Sequence, residues 1–183
     1  IVVGSAALRL WLVGGMPGPF IFVDELIYAE LARSLADGGG YAIREVGTSG
    51  YSLLYPLLIA PAYALDNLVD AHRVAQSINA VVMSLAAIPA FALARRASTD
   101  GLALAFVHRP RVALPLLALV VAAGSVLVPS MAYTGTITTE SLFYPVSLCV
   151  ALVLVRYLER PSRGRLAALL GAAAVAFATR SQG

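Results

Sequence analysis

Long apolar runs separated by short arginine-rich turns dominate the chain. A helix needs about 20 mostly apolar residues to cross a bilayer. Runs at 74–94 and 112–133 have that length, and those at 142–157 and 166–178 are short by this count but read as the next two spans. Gln76, Ser77, Asn79 and Pro89 interrupt the first. Polar side chains in such a setting read as hydrogen-bonding groups between helices rather than as ligands. Residues 1–12 read as the outer end of a span cut off upstream, so the chain reads as the N-terminal part of something longer. No basic leader or cleavage site marks them as a signal peptide. A further stretch, 52–65, is apolar but short and holds Pro56 and Pro61. It is expected to lie in the interface or to re-enter. The fold these runs predict is all-α: a multi-pass transmembrane bundle within one domain, 1–183.

Between the first two runs lies a loop, 17–73, too long to be a mere connector. Pro17-Gly18-Pro19 breaks the chain at its start. The spacing then predicts a helix over 24–36, where Ile27, Leu31 and Leu35 recur every fourth residue with Tyr28 and Ala32 on the same face. Asp37-Gly38-Gly39-Gly40 ends it. A flexible stretch with Gly47 and Gly50 follows. Tyr41, Tyr51, Tyr55 and Tyr63 read as an interfacial aromatic belt.

Composition fixes the class and charge fixes the orientation. The chain is 60% hydrophobic and only 13% charged, against about 25% charged in a soluble domain. All 13 basic residues are Arg. Segment 95–111 holds four Arg and one Asp, and 156–165 holds four Arg and one Glu. Two spans separate them, so they share a side, and the excess of Arg makes it cytoplasmic. The loop 17–73, with seven acidic residues against three Arg, then faces out, as do 134–140 and Arg180. A net charge of +3 therefore reflects topology, and no nucleic-acid partner is expected. Cys149 is the single cysteine, which excludes an internal disulfide. His72 and His108 lie far apart, so no Cys/His metal cluster is expected.

Four outer-side positions carry candidate chemistry. Asp24 and Glu25 open the loop helix. They suit an N-cap and a helix-dipole complement, and equally a carboxylate that takes a proton from an attacking hydroxyl. Glu140, within Thr134-Gly135-Thr136-Ile137-Thr138-Thr139-Glu140-Ser141, is the only acid between Asp100 and Glu159. It is either an exposed loop acid or a partner for Asp24. Arg180 ends the last apolar run, either snorkelling to the interface or gripping a lipid phosphate bidentately. Arg9 has the same two readings, with the structural one stronger.

The segment Phe22-Val23-Asp24-Glu25-Leu26-Ile27-Tyr28-Ala29-Glu30-Leu31-Ala32 resembles the Asp-Glu motif that opens the first outer loop of GT-C glycosyltransferases. It is similar to the lipid A aminoarabinose transferases and, more distantly, to protein O-mannosyltransferases. The resemblance continues in order. Residues 51–65 look like the family's juxtamembrane segment; Arg73, Asn79 and Arg95-Arg96 like its second span; Thr139-Glu140-Ser141-Leu142-Phe143 like its acidic loop; Ala178-Thr179-Arg180 like the end of its fifth span. The Lys-Pro-Pro element of many relatives is absent, and Tyr55-Pro56 stands near its place.

This resemblance implies a transferase at the outer face of the cell membrane, moving a sugar from a polyprenyl-phosphate donor to a lipid, glycan or protein acceptor. Asp24 would be the catalytic base, and Glu25, Tyr28, Glu140 and Arg180 would meet the substrates, Arg180 at the phosphate. Two carboxylates can hold a divalent cation, but the family is not uniform in this, and no metal is assigned. Two other classes compete. A transporter or flippase segment gains from the proline-interrupted runs and loses from acids that sit in outer loops rather than mid-span. A non-catalytic assembly subunit would keep the architecture without the chemistry.

Overall fold

The computed structural model describes residues 1–16, 22–99, 110–127 and 130–180. Helices carry nearly all of them: α1 (Val2–Gly14), α2 (Val23–Ala36), α3 (Leu54–Tyr63), α4 (Leu68–Leu85), α5 (Ala87–Thr99), α6 (Pro110–Val126), α7 (Ser130–Thr134), α8 (Glu140–Glu159) and α9 (Arg163–Thr179). The Pro17-Gly18-Pro19 break lies outside the described residues, as does His108.

The runs become helices, but local chemistry sets their ends. Helix α4 starts at Leu68, six residues ahead of the apolar run, because the Asn67 side chain accepts the Val69 N–H at 2.9 Å and caps it. It is interrupted at Ala86. Pro89 has no N–H for the Leu85 carbonyl, and its ring crowds that carbonyl, so α4 ends at Leu85 and α5 resumes at Ala87. Between α8 and α9 the turn is tied down twice. The Ser162 hydroxyl accepts the Arg165 N–H at 3.3 Å. The Arg165 guanidinium donates to the Arg156 and Arg160 carbonyls, both at 2.9 Å, filling acceptors a helix C-terminus leaves open.

Two stretches are long and apolar enough to cross a bilayer: Leu68–Ala97, at 30 residues, and Glu140–Glu159, at 20. Only 11% of the apolar window of α8 is buried, unlike the core helix of a water-soluble domain. Helices Val2–Gly14 and Leu54–Tyr63 and the segment Leu114–Val126 are apolar but shorter. At the far end of α8 from Glu140, Glu159 pairs with Arg96 at the end of α5.

The segment between α1 and α4 is more ordered than its glycines suggest. Helix α2 closes with Gly38 at φ 75°, the left-handed position that suits glycine. The Gly39 N–H reaches the Ser34 carbonyl at 2.8 Å and the Gly38 N–H reaches Leu35 at 3.3 Å, a Schellman closure. The stretch expected to be flexible is instead an antiparallel hairpin, β1 (Ala42–Ile43) and β2 (Val46–Gly47). Its two turn residues, Arg44 and Glu45, sit at φ 49° and 70°. Such two-residue turns favour Asn-Gly because both positions need positive φ. Glu45→Gly is therefore expected to stabilise the protein by about 0.5–1 kcal/mol, the relief of a left-handed side chain less the entropy glycine brings to the unfolded chain. That gain is a rise of roughly 1–4 °C in a thermal melt. A lowered midpoint would refute the strain.

Two cores result. Tyr28, Leu31 and Ala32 of α2 meet Tyr55, Ile59 and Ala62 of α3, Ala71 and Ala75 of α4, and Ile137. The tyrosines therefore do not form the expected belt. Tyr55 is fully buried and Tyr63 nearly so. Tyr28 packs edge-to-face against Tyr55 at 5.6 Å and Tyr51 at 6.4 Å, the geometry aromatic quadrupoles favour. The second core is built from small residues, Ala86 and Ala87 against Ala122 and Val126, which allow close helix approach. Arg9 is neither an interfacial residue nor available to a phosphate. It is 1% exposed and donates to Ser5 Oγ at 3.2 Å, to the Val126 carbonyl at 2.6 Å and to Thr134 Oγ1, tying α1 to α6 and α7.

Candidate functional site

The site rests on the segment 134–139, which links α7 to α8. The sequence suggests an exposed mouth, yet Thr134, Thr136, Ile137, Thr138 and Thr139 are all buried. Buried backbone groups need partners, and α4 supplies them. Gln76 donates its amide to the Gly135 carbonyl at 2.7 Å. Asn79 donates to the Thr136 carbonyl at 2.9 Å and to the Tyr55 hydroxyl at 3.0 Å. The expectation that Gln76 and Asn79 bond between elements is met, whereas Ser77 bonds back to the Arg73 carbonyl of its own helix at 2.8 Å. From α2, the Glu25 carboxylate accepts the Ile137 N–H at 3.2 Å.

This anchored segment delivers Glu140 as the first residue of α8. Arg180 follows the last residue of α9. Its guanidinium lies 3.5 Å from the Glu140 carboxylate, with side chains 42% and 30% exposed. It also stands over the Phe143 ring, 5.3 Å from the centroid. Phe143, Tyr144 and Ser147 lie three, four and seven residues past Glu140 and so share its face of the helix. With Glu140, Arg180 and Tyr133 they border a cavity of about 240 Å³. The Tyr144 hydroxyl donates to the Ser125 carbonyl at 2.9 Å, which fixes one wall.

Asp24 and Glu25 diverge, as neighbours on a helix must. Helix α2 begins at Val23 with Phe22 at its cap position and no side-chain cap, so Asp24 is not the N-cap. Both acids sit in the first turn, where negative charge complements the helix dipole. Asp24 is exposed. Glu25 is 3% exposed and lies 3.8 Å from His72 Nε2 as well as against Ile137. The resemblance implies substrate contact for Glu25; its burial instead makes it a strut between α2, α4 and the Glu140 segment.

Tyr28 links the two halves. Its hydroxyl receives the Ser52 hydroxyl at 3.4 Å. Burial raises its pKa most, the Ser52 hydrogen bond lowers it, and the charges of Asp24 and Glu140 raise it further. One phenol thus lies within electrostatic reach of both carboxylates and remains a proton donor. Glu140 and Arg180 are brought together at one cavity, whereas Asp24 and Tyr28 do not border it. Among the described residues no group of three or more His, Cys, Asp or Glu could hold a metal ion.

The strut was legible in the helical phase: Glu25 stands three residues before Tyr28 and seven before Ala32, on the buried face. So was the α4 anchor, because His72, Gln76 and Asn79 are spaced i, i+4, i+7 along one face of an apolar helix. The chain matches no family model, no curated protein and no solved structure.

Proposed function

We propose that the chain belongs to a multi-pass membrane glycosyltransferase. It would move a sugar from a polyprenyl-phosphate donor to an acceptor at the outer face of the bilayer. The observation that carries this reading is the Glu140–Arg180 pair, brought together at one cavity from segments far apart in sequence. It matches in kind and order the residues behind the GT-C resemblance. Asp24 takes the proton of the acceptor hydroxyl, whose oxygen attacks the anomeric carbon with inversion. The bond to the polyprenyl phosphate breaks, and Arg180 meets the charge that builds on the departing phosphate. Glu140 orients Arg180 and the substrates.

Sidedness supports the same reading. At 1.5 Å per residue, the 20 residues of α8 cover about 30 Å, the thickness of the hydrocarbon core. Glu140 and Glu159 therefore stand at opposite faces. Glu159 pairs with Arg96 amid the arginine-rich turns, and the candidate site occupies the other end. A transporter reading has the break at Ala86 in its favour. That break, however, packs against Ala122 and Val126, and the nearby cavity is lined by apolar residues such as Ile88, Phe91 and Leu119, with nothing to bind an ion or polar cargo.

The test is transfer of a labelled sugar from a polyprenyl-phosphate donor by the purified protein in lipid nanodiscs. Glu140→Gln is expected to lower the rate about 10-fold, because it removes an orienting charge and leaves the base in place. A loss larger than at Asp24 would reverse the two roles. No transfer by the unaltered protein with any polyprenyl-phosphate sugar would overturn the reading.

A further inference from the structure

A second, larger groove lies on the other face of α2, with about 440 Å³ of space between α2, the end of α3 and the first half of α4. Nothing in the proposed transfer uses it. Its floor holds two buried polar atoms without a hydrogen-bond partner, the Tyr63 hydroxyl and His72 Nε2. Tyr63 is 7% exposed. Buried polar atoms are nearly always hydrogen-bonded, and leaving one unpaired is costly. Two on the floor of one groove indicate something that fills it. Burial, and to a lesser degree Glu25, raises the Tyr63 pKa, so its hydroxyl is present as a donor.

The rim carries balanced charge. Glu25, Glu30 and Arg33 line it from α2 and Arg73 from α4. Arg33 has a loose, exposed contact with Asp37 at 3.8 Å. Arg73 and Glu30 make no ion pair among the described residues. A simple anion would gain from Arg73 and be opposed by Glu30; a simple cation would meet the reverse. A ligand bearing both charges satisfies both. The remaining walls are apolar, and Phe22, Leu26, Leu68 and Val69 are each more than half exposed, the setting for a hydrocarbon chain.

We infer that this groove binds the head group of an aminophospholipid of the surrounding bilayer. Its phosphate lies against Arg73 and the Tyr63 hydroxyl; its ammonium donates to Glu30; its acyl chains run along Phe22, Leu26, Leu68 and Val69. A phosphocholine lipid carries the same charges, but its quaternary ammonium has no N–H to donate, so the site discriminates between the two. The inference rests on the membrane setting of the chain and not on sugar transfer.

The test is native mass spectrometry of the protein released from nanodiscs of equal parts phosphatidylethanolamine, phosphatidylcholine and phosphatidylglycerol. Phosphatidylethanolamine is expected to be retained about tenfold over phosphatidylcholine, a difference of about 1.4 kcal/mol. Arg73→Gln removes retention of all three. Glu30→Gln brings the two zwitterionic lipids level. Tyr63→Phe, which keeps the ring packed, weakens retention severalfold. Equal retention of all head groups overturns the inference, as does retention untouched by Arg73→Gln. A preference for phosphatidylglycerol overturns it too, since that marks a plain anion site. Retention is read without any transfer reaction, so failure here leaves the transferase reading standing, and an inactive transferase leaves this groove untouched.

Discussion

Asp24→Asn is expected to lower sugar transfer about 10³-fold while leaving the protein folded and inserted, since a positioned general base contributes roughly 10²–10⁴. The substitution is nearly isosteric and removes only the ability to take a proton. The fold does not depend on that carboxylate: Asp24 is exposed and is not the helix cap. Its place in the first turn makes the loss of charge worth about 0.3–1 kcal/mol at most. Its neighbour provides the control. Glu25 is buried, holds the Ile137 N–H and faces His72, so Glu25→Gln should disturb the melt as well as the rate. The measurement pairs kcat at saturating donor with a thermal midpoint for each variant. Normal turnover by Asp24→Asn removes the base from the mechanism. A loss of turnover matched by a collapsed melt assigns Asp24 to structure.

How much of this was legible beforehand follows from which forces are local. The apolar runs and the distribution of Arg depend on single residues meeting one solvent or another, and they are readable along the chain. The end of α2 at Asp37-Gly38 was readable too, but the starts of α4 and α9 were not, because Asn67 and Ser162 act through one hydrogen bond each, and the polar first turn of α4 masks its continuity with the apolar run. The hairpin was missed for a sharper reason. Arg44 and Glu45 occupy left-handed positions that their side chains disfavour, so the local sequence argues against the turn. What holds it lies elsewhere: the Tyr41 hydroxyl on the Ser52 carbonyl at 2.7 Å and the packing of Tyr41 and Ile43 on the core between α2, α3 and α4.

The site divides in the same way. Charge and span count lead to the expectation that Asp24, Glu140 and Arg180 share one side. That Thr139 and Glu140 are delivered by amide donors on α4 could not be read, because the segment 134–139 is polar and reads as solvated. The aromatic belt failed likewise. Interfacial tyrosine and core tyrosine have the same composition, and only the α2–α3–α4 packing separates them. Ser52 shows how far the consequences reach: fully buried, it accepts the Tyr41 hydroxyl at its carbonyl and offers its own hydroxyl to Tyr28, so the hairpin bears directly on Tyr28.

Arg180→Gln is expected to lower kcat about 10²–10³-fold with the donor KM changed much less, the signature of an interaction made chiefly in the transition state. In the resting protein Arg180 faces Glu140 at 3.5 Å across a partly exposed gap. Such a pair adds little to stability, about 0–1 kcal/mol, so its loss should barely move the melt. The Phe143 ring beneath the guanidinium holds the plane of the fork while leaving its other N–H groups free to turn toward a phosphate. Charge on the leaving phosphate grows only as the glycosidic bond breaks, and that is when a second, stronger acceptor competes with Glu140 for the fork. Arg180→Lys keeps the charge but loses the planar, bidentate geometry and much of the ring contact, so it should recover only part of the rate. A raised donor KM with kcat unchanged would make Arg180 a binding residue alone. Full activity with Lys would show that charge without geometry suffices.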